Sequence, residues 1–323
     1  MGHFLVTGGA GFIGSHLAEA LVKRGDRVRV LDDLSTGLRE NLEPLGVGDL
    51  GSGTPVELLR ASVTSAAACR TACEGVEAVF HEAALVSVPR SFEEPLQSYE
   101  VNVMGTLRLL EAARRAGVKT FVLASSSAAY GGSTALPKRE EMLPEPLSPY
   151  ASGKLAGEHL LRVWGRTHGM KTVSLRYFNV FGPRQRDDSP YTGVIALFAR
   201  ALLEGRPAAI QGDGEQTRDF TFVDNVVHAN LLVLEKELEP GAVINIGAGD
   251  RVSIRAIHRA MAKIAGRAAE PVHETARVGD VRDSLASLDR ARAWLGYEPR
   301  VSWEDGLART MAWYKSRLSS TRA

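Results

Sequence analysis

A glycine-rich turn near the amino terminus limits the fold of this chain more than any other feature. Gly8, Gly11 and Gly14 follow a short apolar run, residues 4–7, and open a stretch with helical periodicity. Gly8 allows a tight turn, Gly11 lets a pyrophosphate approach the backbone, and Gly14 lets the helix pack closely on the strand. The first two glycines are one residue further apart than in the standard dinucleotide fingerprint, but the same physics applies. We therefore expect a nucleotide cofactor at this turn.

Short β-rich runs alternate with longer helical stretches along the first part of the chain. Helical patterns over residues 15–24 and 103–116 each stop at a glycine, which is a common carboxyl-terminal signal of helices. Alternation of this kind is typical of an α/β fold whose parallel sheet is covered by helices on both faces. We expect a Rossmann-type, doubly wound parallel sheet with strands over residues 4–7, 27–31, 78–81, 120–125 and 171–176.

The pattern is more broken beyond about residue 180, where glycine-containing turns separate shorter elements. We therefore expect an NAD-binding domain over residues 1–180 and a smaller, mostly C-terminal α/β substrate lobe over residues 181–323. Some strands and helices of the second part are expected to return to the first domain. A glycine-rich stretch, residues 46–54, is interpreted as a flexible loop without an assigned role.

Charge and composition exclude several classes of partner. The chain of 323 residues is 44% hydrophobic and has a formal net charge of +1, so it has no field that would collect nucleic acid or an anionic membrane. It shows no signal peptide and no run near the roughly 18 apolar residues that cross a bilayer, so a cytoplasmic protein is expected. Cys69 and Cys73 have no His or Cys cluster nearby, and we interpret them as reduced thiols rather than a metal site.

Asp32 stands at the end of the second predicted strand. A carboxylate at that position can accept both hydroxyls of an adenosine ribose, and it would repel a 2′-phosphate. The sequence therefore favours NAD over NADP. A solvated turn is the alternative interpretation of this stretch, and it fits Asp33 better than Asp32.

Tyr150 and Lys154 lie one turn apart at the start of a helix that begins after Pro149, so both side chains share one face. A tyrosine, whose unperturbed pKa is about 10, can act as a base near neutral pH only if its phenolate is stabilised. An adjacent ammonium and a cationic nicotinamide would provide that stabilisation. Such pairs occur on many helices, and this one gains weight from the upstream glycines and from the serine run 125–127 at the same sheet edge.

Over nearly its whole length the sequence resembles the extended short-chain dehydrogenase/reductase family and, within it, the UDP-hexose 4-epimerases. The matching stretches are His81-Glu82-Ala83-Ala84, Asn102-Val103-Met104-Gly105-Thr106, Tyr130-Gly131 after the serine run, and Arg176-Tyr177-Phe178-Asn179-Val180-Phe181-Gly182-Pro183. The resemblance implies inversion of C4 of a UDP-hexose with tightly bound NAD. It makes Tyr150 the base, Lys154 its activator and a ligand of the NAD ribose, and Ser126 the hydroxyl that bonds the C4 oxygen.

In the implied reaction, Tyr150 takes the 4-hydroxyl proton while hydride leaves C4 for NAD, and the resulting keto ring turns so that the hydride returns to its other face. Where the family usually has an aspartate against the adenine, this chain has Ser62-Val63, so that contact is expected to be weaker or absent. The implied cofactor-binding residues are Gly8, Gly11, Phe12, Ile13, Asp32, Asp33, Thr36, Gly37, Ser62, Val63, Ala83, Ala84, Asn102, Tyr150, Lys154, Tyr177 and Phe178.

The diphosphate of a UDP-sugar needs cations and amides. The resemblance assigns Arg218 and Arg277 to the diphosphate and Asp280 to a uridine ribose hydroxyl. Ser284 falls where enzymes restricted to UDP-glucose and UDP-galactose have a bulky tyrosine, so it is interpreted as leaving room for a 2-acetamido group. The resemblance also implies a homodimer through helices 102–117 and 150–169. The implied substrate-binding residues are Ser87, Ser126, Asn179, Val194, Gln211, Arg218, Arg277, Asp280 and Ser284.

Three functions are alternatives to a 4-epimerase of UDP-glucose or UDP-N-acetylglucosamine. A UDP-glucuronate 4-epimerase stays open because Arg184 and Arg186 lie near the predicted sugar site. Another NAD-dependent sugar-nucleotide dehydratase or reductase is less favoured, because positions 127 and 128 carry no carboxylate. A non-enzymatic NAD-sensing protein on the same fold is disfavoured because the catalytic residues are intact.

Overall fold

The computed structural model describes residues 1–187, 193–267, 270–275 and 281–321. The strands of this part of the chain are β1 (His3–Thr7), β2 (Arg27–Asp32), β3 (Val47–Asp49), β4 (Val56–Arg60), β5 (Ala78–His81), β6 (Thr120–Ser126), β7 (Lys171–Tyr177), β8 (Val180–Phe181), β9 (Ala209–Gln211), β10 (Thr217–Arg218), β11 (Thr221–Phe222), β12 (Ala242–Ile246), β13 (Val252–Ser253) and β14 (Val272–Glu274).

The helices are α1 (Phe12–Lys23), α2 (Ala66–Cys73), α3 (Val88–Glu93), α4 (Pro95–Tyr99), α5 (Thr106–Arg115), α6 (Pro149–His168), α7 (Val194–Glu204), α8 (Val223–Glu235), α9 (Ile254–Ile264) and α10 (Trp303–Thr321). Short 3₁₀ turns cover Arg39–Asn41, Glu43–Leu45 and Ser127–Tyr130, and π-helical turns cover Glu100–Gly105 and Ala291–Leu295.

Eight strands form one sheet in the order β12-β7-β6-β5-β1-β2-β4-β3. All neighbouring strands in it are parallel. The chain adds β2, β4 and β3 on one side of β1 and then β5, β6, β7 and β12 on the other. This reversal confirms the predicted doubly wound sheet, and ligands in such folds bind beyond the carboxyl ends of the strands at the reversal. Short two-stranded pairs join β10 to β13, β8 to β11 and β9 to β14.

Helices bury both faces of the sheet, because successive side chains of a strand point to opposite sides. On one face, Leu17 of α1 and Val226 of α8 pack in a cluster with alternate residues of the strands. On the other face, Cys69, Leu109 and Leu161 of α2, α5 and α6 form a second cluster. Burial on both sides explains why the runs of β1, β5 and β6 are mostly apolar.

A third cluster draws its side chains from residues 181–314 and includes Ile195, Phe198, Ile257 and Leu307. It lies in the part of the chain for which a substrate lobe is predicted. Helix α8 and strand β12 belong instead to the central sheet and its cover, as expected for elements that return to the first domain. The division at residue 180 stays a prediction.

The loop prediction for residues 46–54 is wrong for part of this stretch. Val47–Asp49 forms β3, an edge strand parallel to β4. The carboxylate of Glu57 accepts a hydrogen bond from the backbone amide of Gly53 at 2.9 Å and so holds the turn after β3. Glycine and aspartate are poor strand formers, so this strand depends on its pairing with β4 rather than on local preference.

Cys69 and Cys73 are free, buried thiols on α2. Burial raises the pKa of Cys69 to about 11 and that of Cys73 to about 12. Because the thiolate is the reactive form, both side chains contribute packing rather than chemistry. Among the described residues, no helix has the length and apolar character to cross a membrane.

Candidate active site

The carboxyl ends of the parallel strands meet at one edge of the sheet. This edge collects Gly8 after β1, Asp32 in β2, Glu82 after β5, Ser126 in β6 and Tyr177 in β7. Parallel strand order therefore brings together residues that lie far apart along the chain. Most of the residues predicted for the cofactor and for catalysis belong to this edge or to the elements beside it.

The glycine turn has a backbone that side chains would obstruct. Gly8 has a φ of +65°, and a Cβ atom on it would lie 2.7 Å from the backbone nitrogen of Ala83. A Cβ on Gly14 would collide with the carbonyl oxygen of Gly8. Helix α1 begins without a side-chain cap, so the first-turn amides of Phe12 and Ile13 are available to an anion. This cradle fits the diphosphate of a dinucleotide.

Asp32 is buried at the end of β2, beside that cradle. Its two carboxylate oxygens accept hydrogen bonds from the backbone amides of Ala10 and Leu34, both at 2.9 Å. Burial raises the pKa of Asp32, and the two amides oppose that change. A Cβ on Gly37 would lie 2.9 Å from either oxygen, so glycine keeps the carboxylate accessible. Each oxygen retains acceptor capacity for a ribose hydroxyl. The other predicted residues of this loop, Asp33 and Thr36, are exposed.

Ser62 and Val63, predicted as a weak adenine contact, are engaged within the protein. The Ser62 hydroxyl oxygen accepts hydrogen bonds from the amide and the hydroxyl of Thr64, at 3.3 and 3.0 Å. Val63 is buried, and a Cβ on Gly105 would lie 2.9 Å from its side chain. Both side chains therefore serve local packing, and the weakening of the adenine contact stays a prediction.

Asn102 holds the segment that follows β5. Its side-chain oxygen accepts a hydrogen bond from the Leu85 amide at 2.9 Å, and its side-chain nitrogen donates to the Leu85 carbonyl at 3.1 Å. This paired contact fixes Ala83 and Ala84 next to the glycine turn. We expected Asn102 to bind the cofactor itself. Both polar atoms of the buried amide are bonded to the backbone of Leu85, so Asn102 supports this segment, and its contact with the cofactor stays a prediction.

Tyr150 lies in the first turn of α6, where the Ser148 hydroxyl caps the helix by accepting a backbone amide hydrogen bond at 3.1 Å. The Tyr150 phenol lies near Ser126 at the end of β6. Burial raises the pKa of Tyr150, and the nearby Ser126 hydroxyl opposes that change. Ser126 also accepts a hydrogen bond from the Ala128 amide at 3.1 Å, which holds its hydroxyl in place.

Lys154 lies one turn further along α6 and is buried. Its Nζ is 5.9 Å from the centroid of the Tyr150 ring and donates a hydrogen bond to the carbonyl of Ala124 at 2.7 Å. Burial lowers the pKa of Lys154 to about 8, and the charge of Glu82 opposes this change. An ammonium beside the phenol is the arrangement that the sequence predicts for an activated tyrosine.

A buried ion pair between Arg176 and Glu158 holds Ser125 of the serine run in place. Arg176 of β7 donates to the two carboxylate oxygens of Glu158 on α6 at 2.8 and 2.7 Å. The Ser125 hydroxyl donates to the same carboxylate at 2.5 Å, which makes Ser125 a packing neighbour. Glu158 is not among the residues predicted from the sequence, although it continues the helix face of Tyr150 and Lys154 by one more turn.

Glu82 is another residue of the site for which the sequence predicts no role. The Tyr177 hydroxyl donates a hydrogen bond to Glu82 Oε1 at 2.8 Å. Burial raises the pKa of Glu82 to about 7, and the Tyr177 hydrogen bond and the Lys154 charge oppose this change. Its position directly after a predicted strand, within His81-Glu82-Ala83-Ala84, is the sequence feature that could have indicated a site residue.

Phe178 and Asn179, which follow β7, have different surroundings. Phe178 is fully buried, and its amide donates to the carbonyl of Ile246 at 3.0 Å. The Phe178 side chain is therefore part of the core, and its carbonyl is the group left for a cofactor. Asn179 has a φ of +20° and an exposed side chain at the carboxyl edge of the sheet. This placement suits the predicted contact with the substrate.

Most of the residues predicted to bind the UDP-sugar lie on separate elements of the second part of the chain. Arg218 of β10 donates to the carbonyls of Thr217 and Arg282, both at 2.9 Å. Gln211, the last residue of β9, donates to the carboxylate of Glu274. The remaining predicted residues here are Val194, which opens α7, and Ser87, whose hydroxyl caps α3.

Ser284 is joined to the Arg218 strand, since its amide donates to the Thr217 carbonyl at 3.1 Å. The Ser284 hydroxyl is buried and has no hydrogen-bond partner within the described ranges. Buried hydroxyls normally find a partner, so the partner of this one is either a residue outside the described ranges or a ligand. The predictions for Arg277 and Asp280 fall outside the described residues, as does the stretch 188–192.

Asp219, the residue after Arg218, is a buried carboxylate that is not among the residues predicted from the sequence. Its carboxylate accepts hydrogen bonds from the amides of Ala248, Gly249 and Ala286 at 2.7, 3.1 and 3.1 Å. Burial raises the pKa of Asp219 to about 6, and these amides oppose that change. The carboxylate ties two loops to the strand that carries Arg218.

Comparisons with known proteins agree with this geometry. Residues 4–247 match the NAD dependent epimerase/dehydratase family. The UDP-glucose 4-epimerase of Mycolicibacterium smegmatis is 40% identical over 97% of this chain and 98% of that protein. The UDP-N-acetylglucosamine 4-epimerase of Methanobrevibacter ruminantium, in complex with UDP-N-acetylmuramic acid, is 34% identical with a TM-score of 0.91 over 98% of this chain and 99% of that one. The UDP-glucuronic acid 4-epimerase of Bacillus cereus, in complex with UDP-glucuronic acid and NAD, is 34% identical with a TM-score of 0.88 over the same shares.

The chain therefore belongs to the NAD dependent epimerase/dehydratase family. It is an enzyme whose cofactor is NAD, and proteins similar to it are UDP-sugar 4-epimerases. The predicted fold, the predicted NAD dependence and the resemblance to UDP-hexose 4-epimerases are confirmed.

Proposed function

We propose that this enzyme inverts C4 of a UDP-hexose through a transient 4-keto sugar, acting on UDP-GlcNAc and UDP-GalNAc, on UDP-Glc and UDP-Gal, or on both pairs. The observation that carries the proposal is the buried Lys154, whose Nζ lies 5.9 Å from the centroid of the Tyr150 ring and bonds to the Ala124 carbonyl, two residues before Ser126. This group stands at the sheet edge that also holds the glycine cradle. A sugar hydroxyl can therefore meet a proton acceptor next to the cofactor.

Each of the three side chains has its own task. The Ser126 hydroxyl bonds the 4-oxygen of the sugar and keeps it against the phenol. Tyr150 accepts the 4-hydroxyl proton as phenolate and returns a proton to the inverted alcohol. Lys154 stabilises that phenolate with its positive charge. NAD, when bound, supplies a reversible acceptor for the hydride of C4.

The turn after Ser126 supports inversion rather than elimination of water. Elimination across C5 and C6 needs an acid and a base beside the strand-end hydroxyl. Ser127 and Ala128 occupy these positions, in the 3₁₀ turn that follows β6, and neither is a carboxylate. Because inversion causes no net redox change, we propose that NAD stays tightly bound through repeated turnovers.

Ser284 supports a substrate with a 2-acetamido group, because its side chain is small and its hydroxyl has no protein partner in the described part of the chain. UDP-glucuronate is the second candidate, favoured by the similarity to the Bacillus cereus enzyme. Against it, Arg184 pairs with Glu19 of α1, and Arg186 donates to the Thr36 carbonyl at 3.2 Å. These contacts direct both guanidinium groups to the NAD-binding part, which supports an uncharged hexose.

Product analysis tests the proposed function directly. The purified enzyme is given UDP-Glc, UDP-GlcNAc and UDP-GlcA in separate reactions, without added cofactor, and the C4 epimers are separated before mass spectrometry. We expect interconversion at unchanged mass, no need for an external oxidant, and NAD in the denatured supernatant. Loss of water, loss of CO₂ or stoichiometric release of NADH would each contradict the epimerase proposal. Conversion of UDP-GlcA alone would show that the substrate is the glucuronate and not an uncharged hexose.

We also propose a homodimer formed by one helical face, which we define by Phe92, Leu96, Tyr99, Met104 and Val163. These apolar side chains are 60%, 86%, 39%, 39% and 54% exposed. They lie on α3, α4, the π-helical turn 100–105 and α6, which pack together. Exposed apolar side chains on neighbouring elements favour an interface. A second copy of the chain is the proposed partner, because Met104 and Val163 belong to the helices 102–117 and 150–169 that the resemblance assigns to a homodimer.

A further inference from the structure

Asp219 is a fully buried carboxylate between β10 and β11 that the proposed chemistry at C4 does not use. One of its oxygens accepts hydrogen bonds from the Ala248 amide at 2.7 Å and the Thr221 hydroxyl at 3.4 Å. The other oxygen accepts the amides of Gly249 and Ala286, both at 3.1 Å. Burying a carboxylate is unfavourable unless hydrogen bonds replace the lost water. The four bonds do so, and they also fix the chain segments that donate them.

One of these segments is bonded to the strand of Arg218, the residue before Asp219. Arg218 Nη1 donates to the carbonyls of Thr217 and Arg282, both at 2.9 Å. The Thr217 amide donates to the Arg282 carbonyl at 3.1 Å, and the Ser284 amide donates to the Thr217 carbonyl at 3.1 Å. The predicted ligand of the diphosphate and the predicted neighbour of the sugar therefore belong to two directly bonded stretches of backbone.

Asp219 holds these two stretches together. It follows Arg218 in one of them, and it bonds to Ala286, two residues after Ser284, in the other. The loop after β12 is packed against the same group, because a Cβ atom on Gly247 would lie 2.7 Å from Asp219 Oδ2 and 2.8 Å from the Ala286 Cβ. One carboxylate therefore determines how three segments of the chain meet beside the predicted nucleotide contacts.

The segment that contains Ala286 has a separate connection to the catalytic side. The Lys138 amide donates to the Leu285 carbonyl at 2.7 Å, and the Ser287 amide donates to the Lys138 carbonyl at 2.9 Å. Lys138 lies between the 3₁₀ turn that follows β6 and helix α6. These bonds do not involve Asp219. A change at Asp219 is therefore expected to disturb the nucleotide side and to leave the catalytic side in place.

We propose that Asp219 is a positioning residue for the nucleoside diphosphate part of the substrate, which holds Arg218 and the backbone of Ser284 in their binding arrangement. The proposal rests on the UDP-sugar substrate proposed above. Groups that bind a ligand must be held closely by the residues around them. Asp219 acts only through the backbone of other residues, so its loss should weaken nucleotide binding rather than proton and hydride transfer at C4.

Asp219→Asn tests this role without changing the size of the side chain. An amide has one acceptor oxygen, so its NH₂ group must face the amide of Ala248 or those of Gly249 and Ala286. Titration calorimetry with UDP alone measures binding to the NAD-loaded enzyme without turnover. We expect the Kd of UDP to rise by about tenfold or more, because hydrogen bonds to a charged group are lost. The KM of the sugar nucleotide should rise similarly, while kcat and NAD content should stay within about twofold of wild type.

Asn225→Ala is the matched control for a general loss of stability. Asn225 of α8 is also fully buried, and its Oδ1 accepts the amides of Arg300 and Val301 at 2.8 and 3.0 Å, so it joins a different loop to a helix. Both variants should have a lower Tm, but only Asp219→Asn should lose affinity for UDP. Wild-type affinity in folded Asp219→Asn, or an equal loss in Asn225→Ala, overturns the proposal.

Gly247→Ala covers the case in which Asp219→Asn does not fold. It keeps the carboxylate, and its methyl group presses on Asp219 Oδ2 and Ala286 from the loop after β12. The affinity for UDP should fall by a smaller factor, with unchanged NAD content, and wild-type affinity in this variant overturns the proposal. A wild-type enzyme that does not bind UDP contradicts the proposed function itself, so the two failures give separate results.

Discussion

Tyr150 has the proton-transfer role in the proposed reaction, and its surroundings decide whether it can perform that role. Burial makes the phenolate harder to form, while the Ser126 hydroxyl makes it easier. Lys154 adds a positive charge near the ring. The site therefore has a protonated phenol at rest and the groups needed to stabilise a phenolate when the sugar presents its hydroxyl.

Tyr150→Phe removes one oxygen and leaves the packing of the ring in α6 intact. We expect kcat/KM to fall by about 10²–10⁴-fold, since the variant lacks its proton acceptor. Thermal unfolding and NAD content should stay at wild-type values. Tyr99→Phe makes the same change at a tyrosine of the proposed dimer face, which has no role in the proposed reaction, and should keep full activity. Activity of Tyr150→Phe within a few-fold of wild type would remove Tyr150 from the mechanism.

Ser284→Tyr tests the proposed space for a 2-acetamido group. The added ring overpacks a site that must hold this group, and overpacking typically costs about 1–3 kcal/mol. UDP-GlcNAc epimerisation should be lost selectively, with a specificity change of roughly 10 to 200-fold toward UDP-Glc. Steady-state assays on both substrates measure it. An equal fall in both activities shows that Ser284 has a packing role. A wild-type enzyme that rejects UDP-GlcNAc contradicts the proposed space for the 2-acetamido group.

At the scale of elements, the cofactor cradle is a property of how β1, its turn and α1 approach one another. The Cβ of any other residue at position 14 would meet the Gly8 carbonyl, and Ala83 closes the other side of the turn. The substrate side is built in a similar way, because the Asp219 carboxylate ties loops from two other parts of the chain to the strand of Arg218. Backbone contacts between elements thus determine where both ligand sites form.

Gly14→Ala places a methyl group against the backbone of the glycine turn. We expect the turn to shift, with a loss of stability of about 1–3 kcal/mol and loss of co-purifying NAD. Thermal unfolding and the absorbance of the denatured supernatant measure the two effects. Gly132→Ala is the matched control, because a Cβ there meets only the end of the Leu147 side chain, at 3.6 Å. Wild-type NAD content in Gly14→Ala would contradict the assigned cradle.

At the scale of the whole molecule, the stretch 182–187 joins the two predicted parts of the chain. Arg184 pairs with Glu19 of α1, and the carbonyl of Gln185 accepts a hydrogen bond from the Tyr314 hydroxyl of α10 at 2.5 Å. His16 of α1 bonds to the Pro183 carbonyl at 3.0 Å. The apolar helical face defined above is a separate feature on the outside of the molecule.

The homodimer proposal predicts a stable dimer at micromolar concentration, measured by light scattering. Leu96→Glu combined with Val163→Glu puts charge into the helical face and should yield a monomer, because burying unpaired charge is costly. Ile264→Glu introduces the same charge at an exposed apolar residue of α9 and should leave the dimer intact. A monomeric wild-type enzyme, or a double variant that remains a dimer, would contradict this interface.

Local patterns were sufficient for much of the fold and part of the site. The runs that became β1, β2, β5, β6 and β7 were recognised as short β-rich stretches that alternate with helical patterns, and their ends agree closely with the structure. The relation of Tyr150 to Lys154 follows from helical periodicity, and the glycine turn follows from its spacing. These features were predictable because each depends on residues that are neighbours in sequence.

The sequence by itself determined the α/β class, the NAD-binding turn and the candidate base with its lysine, because strand pattern, turn conformation and helix faces are local. Only the tertiary structure decided that Glu82 meets Tyr177, 95 residues away, and that Tyr177 meets Asn230, 53 residues away. It also decided that Asn102 holds a loop and that Phe178 belongs to the core. The reason is physical: burial and hydrogen-bond partners depend on which strands and helices become neighbours, and that pairing is set by the packing of the whole chain.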